Sequence, residues 1–243
     1  MSTNATDWFT SWFNTPYYHI LYKDRNHEEA EAFMKNLTQF LNIPEEGHIL
    51  DLACGKGRHS VHLNSLGYTV TGLDLSEESI AFAKQFENET LHFDVHDMSK
   101  SYDKQFDAIF NLFTSFGYFE NEEDNLNTIK AIKSNLKENA IGVIDFMNVD
   151  FVINNLVDGN TVTYEGITFH LKRKLEHGYI VKDITFETDA KTHHYQERVR
   201  ALKLEDFKKL FEQAGVHLFS VFGDYKLNAF HREKRERLIM IFM

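Results

Sequence analysis

Residues 49 to 58 read Ile-Leu-Asp-Leu-Ala-Cys-Gly-Lys-Gly-Arg, and this stretch decides the fold. Ile49, Leu50 and Leu52 are the apolar run of a buried strand; Gly55 and Gly57 then break it into a tight turn whose backbone can approach a ligand closely. The next segment, 58–66, carries Val61, Leu63 and Leu66, the pattern of a helix whose first amides point back at the turn. A strand, a glycine turn and a helix in this order place a nucleoside-bearing ligand at the strand's carboxyl end.

The same rhythm extends in both directions. Ala30, Phe33, Met34, Leu37, Phe40 and Leu41 recur at three- and four-residue steps and predict an amphipathic helix over 28–41, stopped near Pro44. Downstream, strands are expected over 69–75, 91–95, 106–112 and 140–146, with helices over 76–86, capped by Ser76, and 122–136. Strands alternating with helices argue for a parallel sheet with right-handed crossovers. After Asn148 the pattern changes to strand-like runs over 161–164, 167–175, 179–187 and 193–202, separated by short turn sequences, which predict an antiparallel meander. The α/β pattern resumes with a helix over 204–214, stopped by Gly215, and strands over 216–222 and 238–243. These last two are too close in sequence for a crossover helix and are expected to pair antiparallel at the sheet edge. The expected fold is α/β: a doubly wound, mostly parallel, seven-stranded Rossmann-like sheet with an antiparallel β lid inserted after the fifth strand. The corresponding division is an N-terminal aromatic arm and helix (1–45), a ligand-binding α/β domain (46–150 and 203–243), and the lid (151–202).

Composition narrows the function classes. The formal charge of −11 repels a phosphate backbone, so nucleic acid is not an expected partner. A local exception is Lys226 and the stretch 231–237, with five more basic residues, read here as a solvated loop rather than a binding patch. Cys54 is the one cysteine, which excludes an intrachain disulfide and suits a reducing, cytoplasmic setting. No run approaches the roughly 20 apolar residues of a membrane span, and residues 1–8 lack the basic and apolar regions of a signal peptide.

The glycine turn alone also fits a dinucleotide site. Three features sharpen it. Asp51 lies within the strand, where a carboxylate can order the loop or meet a ligand amine, and the dinucleotide fingerprint does not require it. Gly57 is followed by Arg58, His59 and Ser60, so the third small residue of that fingerprint is missing. Asp74 ends the second strand, placed to accept both ribose hydroxyls. Asp97, followed by Met98, comes after the third strand; by itself it also fits a turn residue, but in series with Asp51 and Asp74 it suits an adenine amino group with Met98 over the ring.

With these residues in place, the chain resembles the class I S-adenosylmethionine-dependent methyltransferases of small-molecule type, over 46–148 by motif and 203–243 by element order. The resemblance rests on Asp51 to Arg58 and on the Phe-rich segment from Asn111 to Phe119. It implies S-adenosylmethionine as cofactor, with Asp51, Ala53, Gly55, Gly57 and Arg58 along its methionine part, Asp74 and Leu75 at ribose, and Asp97 and Met98 at adenine. It also implies that Asn111 and Phe113 line the sulfonium end, a reading preferred to the alternative of a buried strand end and a helix-entry loop. The expected activity is methyl transfer to an N or O nucleophile of a small molecule. A nicotinamide-dependent oxidoreductase and a non-catalytic S-adenosylmethionine-binding protein are the alternatives.

Three further segments bear on the acceptor. Trp8, Phe9, Trp12, Phe13, Tyr17, Tyr18, His19 and Tyr22 form an aromatic arm followed by Arg25; its hydroxyls and imidazole suit a cap over the cofactor better than plain core, with Tyr18, Tyr22 and Arg25 as cofactor contacts. The lid run carries His194, Gln196, Arg198 and Arg200 on one strand face; a metal site there lacks a second tight His or carboxylate pair, and a solvated sheet face or a dimer contact fits as well. If the acceptor needs a base, His19 and His194 are the candidates. His59 and His62 read as packing or surface residues. No metal site is expected, and the exposed lid sheet is compatible with a homodimer.

Overall fold

The computed structural model describes residues 12–23 and 27–243. A short helix α1 (Pro16–Leu21) and the long α2 (His27–Leu41) lead into β1 (His48–Leu52), α3 (Arg58–Ser65), β2 (Thr69–Asp74), α4 (Glu77–Ala83), β3 (Leu91–Val95), β4 (Phe106–Asn111), α5 (Glu122–Asn135) and β5 (Leu136–Met147). After α6 (Val149–Asn154) come β6 (Gly159–Tyr164), β7 (Ile167–Glu176), β8 (Tyr179–Thr188) and β9 (Lys191–Arg200). Helix α7 (Leu204–Ala214), β10 (Leu218–Phe222) and β11 (Arg237–Phe242) complete the chain.

The large sheet has the order β10-β11-β5-β4-β1-β2-β3. Strands β1 to β5 are parallel, and β11 runs antiparallel to both β5 and β10, as the short link between the last two strands requires. One sheet face is covered by α2, α3 and α4 through Phe33, Leu37, Leu63 and Ile80, and the other by α5 and α7 through Ile129, Ile132, Phe207 and Phe211. Burial on both faces explains why the central strands are apolar runs rather than alternating ones. Strand β5 starts at Leu136, directly after α5, four residues before the strand expected over 140–146; Leu136 already pairs with Phe106 ahead of a register shift.

The second sheet is an antiparallel meander in the order β6-β7-β8-β9. Its apolar face, with Phe169, Leu171, Ile184 and Phe186, packs against Trp12 and Leu21 of the N-terminal segment. Arg200 N donates to Gly117 O at 2.8 Å, which joins the end of β9 to the loop after β4.

Two glycines let β3 close against the first turn. A Cβ on Gly57 would come within 2.6 Å of the Phe93 ring, and a Cβ on Gly72 within 2.5 Å of it. Phe93 thus fills the volume both glycines leave open, and Gly57, at φ +79°, also needs a left-handed backbone to start α3. Gly57→Ala is expected to destabilise the fold by about 2–4 kcal/mol, from overpacking against a buried ring plus the left-handed penalty, measured as a shift of the urea unfolding midpoint with unchanged slope.

Candidate active site

A cavity of about 440 Å³ opens at the carboxyl ends of β1, β2, β3 and β4. Open α/β sheets bind ligands there because strand ends and helix N-termini expose unpaired backbone groups at that edge. Four segments wall it: the N-terminal arm (Phe13, Asn14, Tyr18, His19, Tyr22, Lys23), the first turn (Asp51, Ala53, Cys54, Gly55, Lys56, Arg58, His59), the ends of β2 and β3 (Asp74, Leu75, Ser76, Asp97, Met98), and the loop after β4 (Leu112, Phe113, Ser115, Tyr118, Phe119).

The first turn is shaped by backbone geometry. Ala53 at φ +65° and Gly55 at φ +57° both take left-handed conformations, and Cys54 N donates to Leu73 O at 2.9 Å. A Cβ added to Gly55 would meet nothing within 4 Å, so this glycine leaves open space at the cavity wall, unlike Gly57.

Each acid is held differently. Asp51 is buried and accepts a 2.6 Å hydrogen bond from Ser60 Oγ on α3. Burial pushes its pKa up to about 6; the Ser60 bond works against that shift and the neighbouring Asp74 charge adds to it. Asp74 accepts from Gly55 N at 2.8 Å and Ser76 N at 2.9 Å, so it bridges the first turn and the start of α4. Burial also raises Asp74, against those amide bonds. Asp97 accepts from the amide and hydroxyl of Ser99 at 3.0 and 2.7 Å and lies 3.3 Å from Lys100. Burial pushes Asp97 up, but these donors outweigh it and hold the group below the usual carboxylate range.

The loop after β4 carries two successive left-handed residues, Phe113 (φ +57°) and Thr114 (φ +60°). Such backbone costs energy unless the surroundings over-determine it. Here Asp145, fully buried on β5, does so: Phe113 N donates to its carboxylate at 2.8 Å and Thr114 N to its carbonyl at 3.0 Å. Arg237 of β11 donates to the same carboxylate at 2.8 Å and to Thr114 Oγ1 at 3.0 Å. Burial works against the Arg237 charge, and Asp145 more than restores it. Phe113 stacks on His59, ring centroids 4.3 Å apart, and the Arg58 guanidinium sits 2.7 Å from His59 Nε2.

The family of this fold is decided by comparison with known proteins. The family described as "Methyltransferase domain" matches residues 43–215. The chain belongs to that family. It is an S-adenosylmethionine-dependent methyltransferase. It is 29% identical over 200 residues, 76% of this chain and 79% of the relative, to the putative methyltransferase YqeM of Bacillus subtilis (strain 168). It is 26% identical over 220 residues, 86% of this chain and 79% of the relative, to a glycine/sarcosine N-methyltransferase of Aphanothece halophytica. A crystal structure of an S-adenosylmethionine-dependent methyltransferase from Clostridium acetobutylicum ATCC 824 has the same fold, with a TM-score of 0.78 at 19% identity over 98% of both chains. The nicotinamide reading is set aside with the family.

The cavity of this methyltransferase fits its cofactor on its own evidence: open space over Gly55, the carboxylates Asp74 and Asp97 near successive strand ends, and apolar Leu75 and Met98 in the same lining. Of the residues expected from sequence, Asp51, Ala53, Gly55, Arg58, Asp74, Leu75, Asp97, Met98, Phe113, Tyr18, Tyr22 and His19 line the cavity. Others do not. Gly57 faces the Phe93 ring, where its missing Cβ serves packing. Asn111 is fully buried, its amide donating to Leu52 O at 3.0 Å, because it still belongs to β4. His194 is exposed and hydrogen-bonds Thr185 at 3.2 Å. The meander turns the other face of β9 inward, so Tyr195 and Glu197 meet the arm. Arg25, like Trp8 and Phe9, lies outside the described residues. Tyr17 packs on Phe186 and is not among the lining residues. His59, read from sequence as packing or surface, stands on the cavity wall. Asp145 was missed altogether, although a lone acid inside the apolar run Ile-Asp-Phe of a central strand was an available signal; Arg237, read as part of a solvated basic loop, is instead paired with it and only 15% exposed. No helix among the described residues is long and apolar enough to cross a membrane.

Because Asp51 titrates near pH 6 when folded and near 4 when unfolded, the folded state holds the extra proton between these values, so stability falls as pH rises through that window. The loss amounts to about 2–3 kcal/mol and persists above pH 6. Asp51→Asn is expected to flatten this slope and to be more stable than the parent at pH 7.5 without ligand, as read by urea unfolding of both proteins from pH 4.5 to 7.5.

Proposed function

We propose that this methyltransferase transfers a methyl group to a nitrogen of a small molecule. The observation that carries the reading is the lining of the cavity: Asp51, Asp74 and Asp97 stand at or just after the ends of adjacent strands, and Phe13, Tyr18, Tyr22, Phe113 and Tyr118 present aromatic rings to the same space. In this reading Asp74 takes the ribose hydroxyls, Asp97 with Met98 the adenine, and Asp51 the amino group of the methionine part. When bound, the cofactor supplies an electrophilic methyl on a sulfonium that is already a good leaving group. Aromatic faces attract such a cation, and Phe113 is held for this by the backbone ties to Asp145. Alignment and exclusion of water then supply much of the rate.

Nitrogen is supported by the glycine/sarcosine N-methyltransferase among the relatives. A small acceptor is supported by the fate of the basic stretch near the C-terminus. Arg232 pairs with Asp150 and Glu205, Arg235 with Asp224, and Arg237 with Asp145, so these cations serve internal ion pairs rather than a phosphate track. An attacking amine must be neutral and sheds a proton after transfer. His19 lines the cavity, and burial followed by the nearby Lys56 charge lowers its pKa, so its imidazole is neutral at pH 7 and available for that proton.

S-adenosylhomocysteine at about 100 times its dissociation constant should stabilise the fold by about 2.7 kcal/mol and raise Tm by about 5 °C or more. No shift with either S-adenosylmethionine or S-adenosylhomocysteine at millimolar concentration overturns the cofactor reading. In transfer assays with labelled methyl donor and a panel of small amines, His19→Asn should lower kcat about 10–100-fold and leave the affinity for S-adenosylhomocysteine within about 2-fold. An unchanged kcat removes His19 from proton transfer.

A further inference from the structure

The inward face of the four-stranded sheet carries Phe169, Leu171, Ile184 and Phe186, and a charged pair stands beside them. Lys182 and Glu197 are cross-strand partners on β8 and β9, 3.6 Å apart, with side chains 15% and 16% exposed. Around them lie Ile184, Phe186 and Tyr195 and the arm residues Trp12 and Leu21. A charged pair in such surroundings gives little net stability over apolar side chains of the same volume, so its use is directional.

Its direction is toward the arm. Glu197 accepts from Trp12 Nε1 at 2.8 Å and from the Tyr22 hydroxyl at 2.7 Å on both carboxylate oxygens. Lys182 donates to the same hydroxyl and lies 4.5 Å from the Tyr22 ring centroid. Trp12 and Tyr22 bracket the described part of the arm, and between them Tyr18 packs on both, at 5.8 Å from Trp12 and 4.9 Å from Tyr22. Tyr18, His19 and Tyr22 line the cavity. One carboxylate therefore holds both ends of the segment that forms a cavity wall.

We infer that Glu197 is a positioning residue for the methyl-donor site: it latches the aromatic arm against the four-stranded sheet and thereby controls how fast the bound cofactor leaves. This rests on the cofactor reading above and adds a residue that is not among those lining the cavity. Without the carboxylate, the Trp12 N–H, the Tyr22 O–H and the Lys182 ammonium lose their common acceptor, and the arm loses its orientation.

The test is stopped-flow and equilibrium binding of S-adenosylhomocysteine to the full chain. Glu197→Ala should raise the dissociation rate and Kd at least 10-fold; Glu197→Gln, which keeps an oxygen acceptor, should restore Kd to within about 3-fold of the parent. His194→Ala, on the outward face of the same strand, should leave both unchanged. Tyr22→Phe, which removes only the hydroxyl that Glu197 accepts from, should raise the dissociation rate in the same direction and serves if Glu197→Ala does not fold. Parent protein that fails to bind S-adenosylhomocysteine defeats the cofactor reading. Parent that binds, with folded Glu197→Ala or Tyr22→Phe releasing ligand at the parental rate, defeats the latch alone.

Discussion

The structure depends on one buried contact: the Phe93 ring packed where Gly57 and Gly72 have no side chains. It brings β3 up to β2 and seats the first turn on both, so that Gly55, two residues away, presents bare backbone to the cavity. The Asp74 carboxylate then crosses the same gap, accepting from Gly55 and Ser76, and fixes the turn relative to α4. Neither acid nor glycine has its place without the ring behind it. Large apolar volume sets the position of small polar detail.

A second tie works on the opposite side of the cavity. The Asp145–Arg237 pair is buried in the middle of the sheet, where removing either partner would strand a charge. It is spent on the loop after β4, where Phe113 and Thr114 adopt backbone conformations that side chains disfavour. The rigid sheet therefore dictates the loop that presents Phe113, while the arm on the remaining side is held by side-chain bonds to a separate sheet. Two walls are built on backbone and buried charge, and one is built on a few directional contacts.

How much of this the sequence disclosed follows from the range of the interaction involved. The first turn, Asp74 and Asp97 were legible because each sits at a strand end, and strand ends can be read from local periodicity. The helix over 204–214 was legible because its apolar period and Gly215 are local as well. Asn111 and Gly57 lie beneath the cavity wall rather than on it, because lining a cavity and packing beneath it differ by one or two residues, which periodicity does not resolve. His194 was misplaced for another reason: alternation identifies two faces of β9, and only the arrival of the arm, far away in sequence, determines which is inside. Arg237 looked like one more cation in a basic stretch until β11 was inserted beside β5. Long-range pairing carried the information in each of these cases.

The latch between the arm and β9 also has a consequence for the order of assembly. Trp12 and Glu197 are 185 residues apart in sequence. During synthesis the arm emerges early, with its aromatic side chains lacking the sheet that will cover them, and it can dock only after β9 has left the ribosome. The α/β core before it can gather first from shorter-range contacts. One wall of the cavity is then closed by a segment made before the sheet that holds it.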